Sequence, residues 1–303
     1  MTYAAHHLIT LALARAAAAA MAHAHWSARA PRTAVLIWQA VALSAVASLI
    51  GAALAVGLAP YRLGIVPALA RFGADLTRGE LPAGLSAGHL VAVAMGLGLT
   101  AWVLVAFALT CRALARLRVR QRTLLRLVAR TDPGAYEALV VEHPAVAAYC
   151  VPGRQPAIVV STGALGLLRP DELAAVLAHE RAHARERHDL VLLPFAVLER
   201  AFPWSRAVGV MRRRVATLVE MRADDRAART HGHATLSAAL RRFRASERLP
   251  SPAGTLGAGA EDIDARLDRL AAPVRTPLAL RALLLAIALT VVSTPLSLFL
   301  LPM

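Results

Sequence analysis

The chain has 303 residues, 57% of them hydrophobic, which is too apolar for an ordinary soluble domain and points to a membrane protein. Its formal net charge of +15 rests on arginine alone, since neither Lys nor Asn occurs, and this reads as the codon bias of a GC-rich genome. With only 5% aromatic residues and the arginines beside apolar runs, contact with anionic lipid heads accounts for the charge, and direct nucleic-acid binding is not expected. Cys111 and Cys150 form no CxxC pair, so two buried free thiols are expected.

The first apolar segment, about 3–22, contains His6, His7 and Arg15. No positive charge precedes its apolar part and no clean cleavage site follows, so it is read as a span and not as a signal peptide. Residues 34–58 and 90–111 are free of charge, and 282–301 forms a further strong segment. Each is long enough to cross a bilayer, which takes about 20 residues as helix. Arginine sets the expected orientation. Arg112, Arg116, Arg118, Arg120, Arg122, Arg126 and Arg130 follow the third segment, and Arg29 and Arg32 lie in the short connection 23–33. In 59–87, Arg62, Arg71 and Arg78 are spread out and offset by Asp75 and Glu80. Residues 23–33 and 112–281 are therefore expected on the cytoplasmic side of the cell membrane, with 59–87 and both termini outside.

This divides the chain into a membrane region (1–111), a polar block (112–277) and a last span with the C-terminus (278–303). The block opens with an Arg-rich amphipathic helix. "AAYCVPGRQPAIVVST" holds two strand-like runs around Pro152–Gly153, a hairpin signal. Pro170 followed by Asp171 and Glu172 starts a helix, because proline suits the first turn and acids suit the positive end of the helix dipole. "LVLLPFAVLERAFPW" (190–204) is too interrupted to span and is expected against the bilayer or in the core. A helix should cover about 206–230, and "PSPAGTLGAGA" (250–260) reads as a flexible loop. The expected fold is mainly α with a small β-sheet and four membrane helices.

The expected helix at Pro170 carries "LAHERAHARERHD". Residues i and i+4 share a helix face, so His179 and His183 can both aim a ring nitrogen at one metal ion. Glu180 is displaced around the helix, beside the metal, where it can take a proton from a water that zinc has acidified. A catalytic zinc needs a third protein ligand and an open position. In "VEMRADDRAA", Glu220 can complete that set, and Asp224, one turn on, can hold a ligating histidine by its second nitrogen. A bare HExxH is a weak signal, strengthened here by the helix start, by Leu173, Val176 and Leu177 at helical spacing, and by the downstream ExxxD.

Other polar residues have plainer readings. His188 ends the motif helix and is a secondary candidate for substrate contact. His231 and His233 flank Gly232 in a helix-capping region, with contact to substrate or transition state as the alternative. His6, His7, His23, His25 and His89 are expected at membrane edges, and Asp225 in solvent. "STGALG" (161–166) lacks phosphate-loop spacing, so nucleotide binding is not expected.

"AIVVSTGALGLLRPDELAAVLAHERAHARERHDL" followed by "EMRADDRAA" resembles the membrane-bound gluzincin peptidases. The likeness is greatest to the BlaR/MecR-type antibiotic-sensing family, with the CAAX prenyl protease and heat-shock protease X type as a cousin. The resemblance covers about 145–275 and the pattern of spans. It implies zinc bound by His179, His183 and Glu220, with Glu180 as base, in an inserted minigluzincin-like domain. It also implies an edge strand for extended substrate, here about 156–162, and "DARLDRL" (264–270) is similar to a segment those proteins carry before their last span. The implied activity is membrane proteolysis of a protein substrate, a transcriptional repressor in signalling or, alternatively, a quality-control substrate. A reading of another class is a non-catalytic scaffold held by structural zinc, which would have no use for Glu180. BlaR-type sensors carry a penicillin-binding domain after the fourth span, whereas this chain stops at Met303. With no Lys there is no SxxK pair, so covalent β-lactam capture is not expected.

Overall fold

Unbroken runs of Ala, Leu and Val become the long helices. The computed structural model describes all residues except Met1, Ala83, Tyr136, 247–259, 273–275 and 301–303. Helix α1 (Thr2–Ala22) leads through a short α2 (Trp26–Arg29) into α3 (Pro31–Gly57). Pro31 sits in the first turn of α3, where its missing N–H has no helical partner to lose. α4 (Ile65–Arg78) lies within the expected outer loop and ends at Gly79, whose φ of 72° an L side chain rarely adopts.

α5 (Ala87–Val128) is one helix of 42 residues. It was expected to close near Cys111 as a span, with a separate Arg-rich helix after it. No Gly or Pro occurs between Leu99 and Val128, so nothing interrupts the helix where hydropathy changes. Both cysteines are free as expected, although half-buried.

A small sheet follows, built from β1 (Ala129–Thr131), β2 (Leu139–Val141), β3 (Ala148–Val151) and β4 (Ala157–Ser161). The spatial order is β1-β2-β4-β3. β3 and β4 form the expected antiparallel hairpin, with Cys150 opposite Ile158, while β2 runs parallel to β4. The strand at 156–162 is therefore interior, and the edges are β1 and β3, of which β3 is the neighbour of β4. The reason is tertiary: β2 covers the free side of β4, burying Val159, Val160 and Ser161.

The remaining elements are α6 (Thr162–Leu167), α7 (Pro170–Arg185), α8 (His188–Ala201), α9 (Arg206–His231), α10 (His233–Ser246), α11 (Ala260–Ala271) and α12 (Leu278–Leu300). The loop expected at 250–260 lies outside the described residues apart from Ala260, where α11 begins. The described residues are mainly helical with one small sheet. Among the described residues, four helices are long and apolar enough to cross a membrane: Tyr3–Ala22, Pro31–Gly57, Ala87–Val128 and Leu278–Ser297.

These four pack closely through small residues. A Cβ on Gly51 of α3 would come within 2.4 Å of the His7 ring of α1, and one on Gly96 of α5 within 2.5 Å of Leu54. Ser44 Oγ donates to the Val291 carbonyl of α12 at 2.7 Å. The same core continues into the polar block: Phe195 of α8 and Met211, Val215 and Leu218 of α9 cluster with Val35 and Trp38 of α3. Complete burial of a side chain such as Phe195 stabilises by about 1.5–3 kcal/mol, which holds α8 and α9 on these helices. A second core, Leu173, Val176 and Leu177 with Val140 and Val160, seats α7 on the sheet.

Candidate metal centre

The site begins with the way α7 starts. The Arg169 N–H donates to Glu172 Oε2 at 2.9 Å, and Pro170 occupies the first turn. Glu172 is fully buried and pairs with Arg242 of α10 at 3.1 Å, which fixes the helix axially. With Leu173, Val176 and Leu177 committed to the sheet, helical periodicity turns His179 and His183 toward α9. Ser205 caps α9, and one turn separates Glu220 from Asp224 on the face that meets α7.

Three side chains converge. His179 Nε2 and His183 Nε2 lie 3.0 Å apart. Glu220 Oε2 is 3.3 Å from the first nitrogen, and Glu220 Oε1 is 3.4 Å from the second. One ligand atom from each lies within 4.8 Å of the others. Behind them, Asp224 Oδ1 is 3.0 Å from His179 Nδ1, the contact expected of a carboxylate that orients a ligand. Burial pulls the His179 ring down, but hydrogen bonds to Asp224 and Glu220 outweigh it and raise the ring to about 10. Burial and the neighbouring His179, His188 and Arg266 hold His183 at about 3, against the pull of Glu220. Burial works against ionisation of Glu220, yet His179, His183 and Arg266 hold its carboxyl at about 2.

Glu180 lies one residue around the helix, half-buried, and accepts the backbone N–H of Cys150 on the edge strand β3. Burial pushes its carboxyl up to about 7, with Glu220 adding to this and His179 and Arg266 opposing it. A carboxyl poised near neutrality suits a group that must take up and release a proton.

Residues 115–243 match the model of peptidase family M48. The matched segment contains His179, Glu180, His183, Glu220 and Asp224, and it supports the M48 metallopeptidase family. No curated protein and no solved structure matches.

The donor set fits zinc. Two imidazole nitrogens and a carboxylate oxygen converge at 3.0 to 3.4 Å, a donor set that a cation can take once it displaces the proton held on His179. Nitrogen and oxygen donors in a three-residue set match the protein ligands of catalytic zinc sites.

Several residues here were not legible in the sequence. Arg266 of α11 is buried, donates from Nε and Nη2 to Asp224 at 2.7 Å each, and has Nη1 3.2 Å from Glu220 Oε2. The only signals were the similarity of "DARLDRL" to a family segment and the rule that a buried carboxylate needs a counter-charge. His188, read as a helix end or a substrate contact, opens α8 and is buried, with Nδ1 3.0 Å from His183 Nδ1. Burial lowers its ring below the ordinary range. Its Nε2 lies 3.6 Å from Glu186, which Arg222 grips at 2.8 and 2.9 Å, so a chain of contacts from α9 sets the His183 ring. Asp225 was expected in solvent but accepts Arg269 Nη2 at 2.6 Å, because α11 brings an arginine to it. His231 and His233 are not brought to the cluster. His231 ends α9, about 16 Å along the axis from Glu220, and His233 is exposed beyond it.

Proposed function

We propose that this chain is an integral-membrane zinc metalloendopeptidase. The observation that carries the reading is the convergence of His179, His183 and Glu220 with Glu180 beside them, within the segment that matches peptidase family M48. His179, His183 and Glu220 would hold the ion, and Asp224 and His188 would orient the two rings from behind. Zinc, when bound, supplies Lewis acidity that polarises a peptide carbonyl and acidifies water.

The chain's own groups do the rest. Glu180 takes the proton of the attacking water and delivers it to the departing amine nitrogen. The unpaired side of β3, next to Glu180, offers backbone groups to an extended peptide. The arginine pattern supports a cytoplasmic site, and the resemblance supports BlaR/MecR-type signalling with a repressor as substrate.

Replacing Glu180 by Gln tests this reading. Hydrolysis of a protein substrate by the reconstituted enzyme should fall by about 10²–10⁴-fold, the usual contribution of a general base. Zinc per chain, read by atomic absorption, should be unchanged. Hydrolysis at the wild-type rate by the Gln variant would overturn the assignment.

A further inference from the structure

The α8–α9 hairpin packs against the apolar stretches of α3 and α5. Trp102 lies in the charge-free stretch of α5, nine residues before Cys111, or about 13 Å along the helix from the end of that stretch. Its indole Nε1 donates to the Ala201 carbonyl, at the end of α8, at 2.9 Å. Ala106 of the same stretch packs with Val197 and Ala201, with Leu193 and Phe202 around them. At the other end of α8, Gln39 in the apolar part of α3 donates to the Val191 carbonyl at 3.4 Å. α8 therefore runs alongside the spans from the level of Gln39 to the level of Trp102.

The turn at its end is apolar and open. Trp204 is 74% exposed, Pro203 is exposed, and Phe202 stacks edge-on against Trp204 with centroids 6.1 Å apart. Arg206, Arg213 and Arg214 are exposed along the adjoining part of α9, while Glu199 is neutralised by Arg212 at 2.8 Å. An aromatic tip with arginines behind it is the composition of a membrane-interface anchor: the rings enter the acyl boundary and the guanidinium groups reach back to lipid phosphates.

We propose that the α8–α9 hairpin is inserted into one leaflet, with Phe202, Pro203 and Trp204 against lipid. The insertion rests on the reading of α1, α3, α5 and α12 as spans and does not require proteolytic activity. Its consequence for the peptidase does rest on that activity. Glu220 stands about 22 Å along α9 from the tip, so the reacting groups are held close to the leaflet surface. The substrates in reach are then segments that emerge from the membrane.

The test is photolabelling of the full chain in nanodiscs of phosphatidylcholine and phosphatidylglycerol, with an iodophenyl diazirine that partitions into the acyl region. Labelled residues are mapped by mass spectrometry. Residues 202–204 should label about as strongly as the exposed Leu104, Phe107 and Leu109 of α5, and about tenfold above the start of α10 at 233–235, where His233 and Ala234 are exposed. Labelling at 202–204 no higher than at 233–235 would overturn the proposal. The Glu180→Gln protein should give the same pattern, which separates this outcome from any failure of the peptidase assignment.

Discussion

Replacing Arg266 by Leu removes the cation from the back of the metal centre while keeping an apolar side chain in the space. The guanidinium is 6% exposed and Asp224 is fully buried. Two bonds of 2.7 Å to Asp224 and a 3.2 Å contact to Glu220 are lost together. Breaking a buried pair from one side leaves an uncompensated charge and costs about 3–5 kcal/mol. Here His179 still faces both carboxylates, so we expect the lower end, about 3 kcal/mol in the metal-free protein. Urea unfolding of the protein in mild detergent, followed by circular dichroism, reads the change. Adding Asp224→Asn to Arg266→Leu removes the charge that was stranded. The double variant should be more stable than the sum of the single effects by about 2 kcal/mol. Additivity within about 0.5 kcal/mol, or a loss below about 1 kcal/mol for Arg266→Leu alone, would refute the reasoning.

Glu220→Ala leaves two histidines and should lose most of the zinc measured by atomic absorption, with full zinc refuting the ligand set. In the metal-free protein His179 sits at about 10, above its ordinary 6.5. The stability it contributes is fully present below about pH 6.5 and drains away as pH rises through about 10. Zinc must displace that proton, so calorimetry at pH 7 in buffers of different ionisation enthalpy should show release of about one proton per zinc, and no release would contradict the assigned state. Alkaline phosphatase fused near residue 75 should be active and fused near residue 240 inactive, and the reverse pattern would invert the proposed orientation.

The elements that depend on local order were legible in the sequence. Hydropathy over 20-odd residues marks α1, α3, α5 and α12, because a span must satisfy its own backbone and present apolar side chains. Pro170, Asp171 and Glu172 announce α7, and 3.6 residues per turn place His179 over His183 with Glu180 to one side. The ExxxD spacing likewise aligns Glu220 with Asp224 on α9. Contacts between distant segments were not legible in the same way. Arg266 meets Asp224 across 42 positions of sequence, and nothing in either helix alone names the partner. β2 covers β4, which moves the open edge to β3 and beside Glu180. The turn after α7 folds His188 back onto His183, a contact that helical spacing does not specify. The 190–204 stretch was open between bilayer and core, and which helices it packs on came only from the tertiary structure, where the Trp102 indole of α5 donates to the Ala201 carbonyl at the end of α8. Periodicity determines which face of a helix is apolar or charged, whereas the packing of one helix on another determines what that face meets.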